Sequence, residues 1–147
     1  MPSIKISNGI LNDEIVTESA IVSTFLADSY PDSAFWPKSH ESPTSALRRA
    51  RMSFFADTWL TKVNSLFYPV MMAGEGEEGE RLGRELVAAI EKEIEPLLKD
   101  AAPFFGGSEV MTLAEVCIDP LPTFQLPSRF TVSTCTAVLV ADLNIIQ

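Results

Sequence analysis

The feature that most constrains the fold is a sustained helical pattern between residues 44 and 70. One apolar stripe on it recurs every three or four residues and consists of Met52, Phe55, Trp59, Val63, Leu66 and Val70. This spacing places side chains on one face of an α-helix. A second stripe on a neighbouring face begins with Leu47, Ala50 and Phe54. Two stripes predict a helix over about residues 44–68 that contacts two other parts of the molecule.

Upstream of this helix, the sequence predicts a β-hairpin and a shorter helix. Residues 3–6, "SIKI", alternate polar and apolar, and Asn8-Gly9 is the strongest short signal for a hairpin turn, so residues 2–17 are expected to form the hairpin. A helix is predicted to open at Thr17 to Ser19, with an apolar face of Ile21, Val22, Phe25 and Leu26, and to end before Pro31. Residues 31–43 carry three prolines and no periodicity, which predicts a linker.

Downstream, a break rich in glycine and glutamate at residues 74–80 precedes a second long helix, "RLGRELVAAIEKEIEPLLKD". Pro96 is expected to kink this helix or end it early, because proline lacks a backbone donor and clashes with the preceding turn. Between Glu75 and Glu95 there are eight acids and three bases, a net charge of 3 − 8 = −5. Such a run indicates a solvated helix face, with an acidic docking surface as the alternative.

A capping box is the best-defined local signal. In Thr112-Leu-Ala-Glu115, the threonine oxygen is expected to accept from the amide three residues on, and the glutamate from the amide of the threonine itself. A helix start is therefore predicted here. The proline-rich stretch that follows, "CIDPLPTFQLP", excludes a long continuation. Residues 130–146 are apolar and β-rich, and their pattern fits a strand or a helix.

Composition narrows the class of protein and of partner. The 147 residues are one domain's worth, and an apolar content of 46% is ordinary for a globular chain. The net charge of 11 − 20 = −9 argues against nucleic acid and anionic membranes as partners, because phosphate binding needs a basic face. No apolar run reaches the roughly 20 residues that span a bilayer, and no signal peptide opens the chain, so a cytoplasmic setting is expected. One histidine and two cysteines predict no metal site.

Five stretches together resemble the glutathione S-transferase family, in a form common among fungal and bacterial members. They span residues 1 to about 116 and comprise Pro2, Glu18-Ser19-Ala20-Ile21, Trp36-Pro37, "ALRRARMSFF" and "FFGGSEVMTLAEV". The Glu-Ser-Ala-Ile stretch is a weak signal alone, and the downstream motif makes it more specific. The resemblance implies a mainly α fold, with a remnant β-hairpin and helix of a thioredoxin-like domain followed by a glutathione S-transferase C-terminal-like helical domain.

The same resemblance divides the chain and limits its chemistry. Residues 1–30 would be the remnant of the glutathione-binding domain, 31–43 the linker, 44–118 the helical domain and 119–147 a divergent tail. The family's catalytic serine, cysteine or tyrosine lies near the end of a first strand that is expected to have no counterpart in this sequence. The resemblance therefore assigns no catalytic residue.

For glutathione, the co-substrate of the family, the resemblance implies three binding residues. Pro2 matches a cis-proline, and the backbone before that proline pairs with the cysteine part of glutathione. Glu18 and Ser19 match the pair that grips the γ-glutamyl end. A serine at a helix N-terminus offers a hydroxyl and free amides to a carboxylate, and a glutamate offers an acceptor to an α-ammonium. The alternative is that Ser19 is only an N-cap, which contributes about 1 kcal/mol to helix stability.

The hydrophobic co-substrate is implied to bind at Arg51, Phe54 and Phe55. Because aromatic residues at helical spacing are usually core, plain packing is the alternative for both phenylalanines. Three functions stay open: a transferase that conjugates glutathione to small hydrophobic electrophiles, a non-catalytic binding or assembly module, and a degenerate fragment that folds poorly. Family members are usually homodimers, but their pairing uses both domains, which argues against a dimer here.

Overall fold

The structure, a computed structural model, describes residues 3–7, 12–30, 35–38, 40–101 and 103–118. These residues form a mainly helical fold with a small antiparallel sheet. The main elements are β1 Ser3–Ser7, β2 Asn12–Thr17, α1 Ser19–Ser29, α2 Ser45–Thr58, α3 Asn64–Ala73, α4 Glu77–Ala89 and α5 Leu113–Ile118. Shorter segments connect them: a π-helical turn at Trp59–Val63, another at Ile90–Ile94, and 3₁₀ turns at Glu95–Leu98 and Phe105–Gly107.

The predicted hairpin is confirmed. Strands β1 and β2 pair antiparallel, in a register that sets Ile4 opposite Val16. A β-bulge interrupts this register at Asp13, which has a positive φ of 65°. An extra residue of this kind bends the strand and increases its twist. The predicted Asn8-Gly9 turn lies outside the described residues.

The predicted long helix is confirmed, but its predicted end near residue 68 is wrong. The helical path continues from Ser45 through α3 to Ala73, with Pro69 inside it. Proline removes one helical hydrogen bond at this position. The buried side chains of Phe67 and Val70, on either side of it, keep α3 against the core and offset that loss.

The core lies between the α2–α3 path and α4 with its continuation. Its largest fully buried side chains include Phe55, Val63, Leu86, Ile94 and Leu98. Phe55 and Val63 belong to the first predicted stripe of the long helix, whereas Leu47 and Phe54 of the second stripe are 62% and 60% exposed. Helical periodicity therefore predicted the α2–α3 side of the core, and the second predicted contact face is wrong.

The predicted linker takes part in this core. Trp36 is only 6% exposed and belongs to the same hydrophobic cluster as the long helices. Beside it, the backbone oxygen of Phe35 accepts a hydrogen bond from the N–H of Leu113 at 2.8 Å. The described part of the linker thus attaches to the start of α5.

Helix α1 differs from its predicted amphipathic face. Of the four apolar residues expected to be buried, Val22 is buried, whereas Ile21 is 58% and Leu26 is 40% exposed. Ala27 is buried instead. Helix α1 contacts the hairpin and α5, and this narrow contact covers only part of its apolar surface.

The turn between α3 and α4 is shorter than the predicted break, because α4 already begins at Glu77. Three glutamates lie in its first turn, near the positive end of the helix dipole. Their negative charges stabilise the helix there, which favours a helical conformation in this stretch. Pro96 lies in the first turn of the 3₁₀ segment Glu95–Leu98, where the α-helical path of α4 has ended. The predicted effect of Pro96 is therefore confirmed.

Replacing Gly79 with alanine should destabilise the fold, although alanine is usually the better helix former by about 1 kcal/mol. A Cβ on Gly79 would clash with the backbone oxygen of Gly74, so the α3–α4 turn must move. We expect a net loss of about 1–3 kcal/mol in the free energy of unfolding, measured in urea. A midpoint equal to or above that of the wild type would contradict the close approach.

The predicted capping box forms at the start of α5, with one difference. Glu115 Oε2 accepts from the Thr112 N–H at 2.7 Å and from the Thr112 hydroxyl at 2.6 Å. Thr112 Oγ1 accepts from the N–H of Ala114 at 3.2 Å, not from the expected amide of Glu115. A further bond, from the Phe105 N–H to Glu115 Oε1 at 2.8 Å, ties the box to the preceding 3₁₀ turn.

Among the described residues, no helix combines the length and the apolar character needed to cross a membrane.

Candidate functional site

Glu18 and Ser19 lie where β2 passes into α1. Ser19 is the first residue of α1, and Glu18 is its N-cap. The Glu18 carbonyl accepts the first helical hydrogen bond, from the N–H of Val22 at 2.8 Å. The Glu18 side chain makes no capping bond. The remaining N–H groups of the first turn have no intrahelical acceptor, as at the start of any α-helix.

This geometry shows that the N-cap interpretation of Ser19 is wrong, because the N-cap is Glu18 and it makes no side-chain capping bond. Glu18 has φ 70° and ψ 125°, a sparsely populated conformation for a residue other than glycine. Such a conformation costs about 1–3 kcal/mol and is concentrated at functional sites. Both side chains are exposed. The pair therefore presents a carboxylate and a hydroxyl to solvent at the start of α1.

A charged cluster holds the other end of α1 against α2. Arg49 Nη1 and Nη2 donate to the two carboxylate oxygens of Asp28 at 2.8 and 3.0 Å. The guanidinium also lies 4.6 Å from the centre of the Trp36 ring. The hydrogen bond from Arg49 lowers the pKa of the Asp28 carboxyl below its usual range. These contacts fix the orientation of α1, and with it the direction of its N-terminus.

A small, mostly apolar cleft of about 130 Å³ runs between α1 and α2. Helix α1 contributes Ala20 and Thr24, so the cleft begins one residue after Ser19. The Thr24 hydroxyl is already bonded to the Ala20 carbonyl at 2.9 Å. The other lining residues are Trp36, Met52, Ser53, Ala56, Asp57, Leu60 and Leu113.

Sequence reasoning did not assign the α2 side of this cleft to a site. Ser53, Ala56, Asp57 and Leu60 occupy one helix face at intervals of three and one, which is a helical pattern with mixed polarity. That spacing was the available signal. It could not be assigned to a site, because nothing in the sequence shows that this face meets α1.

Arg51 and Phe54 line a second cleft, of about 220 Å³, together with Ala50, Leu97 and Phe105. Phe54 is 60% exposed, whereas Phe55 is fully buried, with its ring centre 4.9 Å from that of Phe105. The structure therefore brings two of the three predicted pocket residues together and places Phe55 in the core behind them.

The two predicted binding regions do not meet. The cleft beside Ser19 and the cleft at Arg51 share no lining residue. Pro2, the third residue predicted to bind glutathione, lies outside the described residues. Within the described ranges, no group of three or more histidine, cysteine, aspartate or glutamate side chains could hold a metal ion.

The order of elements, an antiparallel hairpin, a helix that begins at Glu-Ser and a helical domain with a capped α5, defines a glutathione S-transferase-like fold. The chain is similar in structure to rice GST1, which was crystallised in complex with glutathione, with a TM-score of 0.61 and 22% sequence identity. The similarity covers 76% of this chain and 49% of the rice chain, so this chain corresponds to about half the length of the rice protein.

Sequence comparisons add no closer assignment, because no protein-family model and no curated protein matches the chain. At 22% identity, the rice structure shows the shared fold alone. The finer resemblance to fungal and bacterial members stays a prediction.

Proposed function

We propose that this chain binds glutathione through Glu18 and Ser19 at the N-terminus of α1. The observation that carries the proposal is the strained backbone of Glu18 at a helix start without a side-chain cap. A glutamate in this conformation destabilises the fold. A role of this position in binding would explain why the strain is present. The fold is that of a glutathione transferase, which supports glutathione as the ligand.

The chemistry of the pair suits the zwitterionic γ-glutamyl end of the tripeptide. The α-carboxylate would accept from the Ser19 hydroxyl and from the first-turn amides of α1, whose dipole favours an anion. The α-ammonium would donate to the Glu18 carboxylate. Charge-assisted bonds of this kind contribute about 1.5–3 kcal/mol each. In this proposal the backbone before Pro2, outside the described residues, pairs with the cysteine part.

The larger proposal is that the chain takes part in conjugating glutathione to small hydrophobic electrophiles, which would occupy the cleft at Arg51 and Phe54. Conjugation needs the thiolate, and a thiol with a pKa near 8.5 is mostly protonated at neutral pH. No described residue is assigned as its activator, so glutathione binding and catalysis are separate claims. Formation of the conjugate with a generic electrophile such as chlorodinitrobenzene distinguishes a transferase from a non-catalytic glutathione-binding module.

Replacing Glu18 with glycine should weaken glutathione binding, and the same substitution should stabilise the fold. We expect affinity to fall at least about tenfold, because one charge-assisted bond is lost. The free energy of unfolding should rise by about 1 kcal/mol, because glycine adopts positive φ without strain. Calorimetric titration of glutathione and urea unfolding measure the two quantities on the same protein.

Two controls separate a specific site from a general charge effect. Glu14→Gln removes an exposed acid from β2 and should leave glutathione affinity within about twofold, since surface charges act weakly at a distance. Cysteinylglycine, which lacks the γ-glutamyl group, should bind the wild type and Glu18→Gly equally. Undiminished glutathione affinity in Glu18→Gly would reject the proposed site.

A further inference from the structure

Arg51 is held in place on two sides before any ligand arrives. Its Nη2 lies 2.8 Å from Asp100 Oδ2 and donates to Asp100 Oδ1 at 3.0 Å. Its guanidinium carbon lies 5.7 Å from the centre of the Phe105 ring. Such contacts restrict a side chain that otherwise has many rotamers. A ligand that binds Arg51 therefore costs less side-chain conformational entropy.

This fixed guanidinium retains hydrogen-bonding capacity. Arginine has five N–H donors, and within the described ranges the bonds of Arg51 involve Nη2 alone. Nη1 and Nε are thus available to an acceptor. A carboxylate matches the planar fork of a guanidinium in shape. The guanidinium donates hydrogen bonds along its edges and can bind more than one anionic partner.

The rest of the cleft is apolar. Phe54, Leu97 and Phe105 contribute its walls, and Phe54 is 60% exposed. The volume of about 220 Å³ lies below the usual range for drug-sized ligands. A ligand that fits this cleft is therefore small, with an apolar body.

We infer that the cleft at Arg51 binds a small apolar carboxylic acid, whose carboxylate bonds Arg51 and whose hydrocarbon body packs on Phe54, Leu97 and Phe105. This inference gives a ligand class to the cleft assigned above to the hydrophobic co-substrate, and in that role it rests on the proposed function. It excludes neutral hydrocarbons as the preferred ligands, because they leave the guanidinium donors unused.

Asp100 makes the inference testable, because it competes with the ligand for the same cation. An arginine that is already paired attracts a second carboxylate less strongly than a free one. Removing the aspartate charge should tighten the binding of an acid and leave that of a neutral analogue unchanged. A merely structural role for the ion pair predicts no such difference.

The experiment compares 3-phenylpropanoate with 3-phenylpropanol, titrated into the full chain and followed by amide NMR shifts. We expect the acid to bind about tenfold more tightly than the alcohol. Arg51→Gln should abolish this preference, Asp100→Asn should increase it several-fold, and Phe54→Ala should weaken both ligands. Arg48→Gln, which removes an exposed arginine from the same helix, is the matched control and should change nothing.

Equal affinity for the acid and the alcohol in the wild type would overturn the inference. So would a preference for the acid that survives Arg51→Gln, or shifts that centre on residues away from the cleft. Glutathione is titrated separately into the wild type. If the acid binds at Arg51 and glutathione does not bind, the proposed glutathione function fails while the acid site stands. If glutathione alone binds, the acid site fails.

Discussion

Replacing Phe55 with alanine should lower the free energy of unfolding by about 3–5 kcal/mol, because its side chain is fully buried and a cavity would remain. The substitution also removes the ring contact with Phe105, whose centre lies 4.9 Å away. Domains of ordinary stability have only about 5–15 kcal/mol in total, so much of the protein should be unfolded at moderate urea concentrations. Urea unfolding followed by tryptophan fluorescence measures the loss.

Phe54 is the matched control, since it is the same residue one position earlier on the same helix. Its side chain is 60% exposed, so Phe54→Ala should cost no more than about 1 kcal/mol. Losses of similar size in the two variants would contradict the placement of Phe55 in the core and of Phe54 at the cleft. The pair also separates folding from binding, because only Phe54 is expected to contact a ligand directly.

Properties that depend on neighbours in the sequence were predictable. Phe55, Trp59 and Val63 are buried because apolar residues at helical spacing share one face whatever that face meets. The capping box at Thr112 and Glu115 formed for the same reason, since the two residues needed are three positions apart. In both cases the determining contacts are local.

Properties that depend on distant partners were not predictable. Trp36 looked like part of a proline-rich linker, and it is buried because it joins a hydrophobic cluster whose other members come from helices along the chain, from Ala27 to Ala114. The end of the long helix was misplaced because tertiary burial of α3 outweighs the local cost of Pro69. The exposed Ile21 shows the opposite case, an apolar residue with no described element over it.

The candidate site shows the same division. Residue type and position at a helix start were enough to select Glu18 and Ser19. The positive φ of Glu18 was not accessible, because this conformation is unfavourable for glutamate and only the surrounding structure imposes it. The separation of the Arg51 cleft from the start of α1 likewise depends on how the helices pack, which spacing within one helix cannot show.

Replacing Glu115 with alanine should be as damaging as the loss of Phe55, for an electrostatic rather than a steric reason. Glu115 is 5% exposed, and its carboxylate accepts three hydrogen bonds, two from Thr112 and one from the Phe105 N–H. Removing it leaves buried donors without an acceptor, and each such group costs about 1–3 kcal/mol. We expect a total loss of about 3–5 kcal/mol in the free energy of unfolding, since these costs are not fully additive.

Two further variants distinguish lost hydrogen bonds from lost charge or volume. Glu115→Gln preserves the shape and one acceptor oxygen. Its free energy of unfolding should therefore lie between those of the wild type and Glu115→Ala. Glu109→Ala removes an exposed acid nearby and should change stability by less than about 0.5 kcal/mol. Hydrogen exchange locates the effect: the Phe105 amide should lose protection in Glu115→Ala before the core amides of α2 do. Retained protection there would show that Glu115 does not connect α5 to the preceding turn.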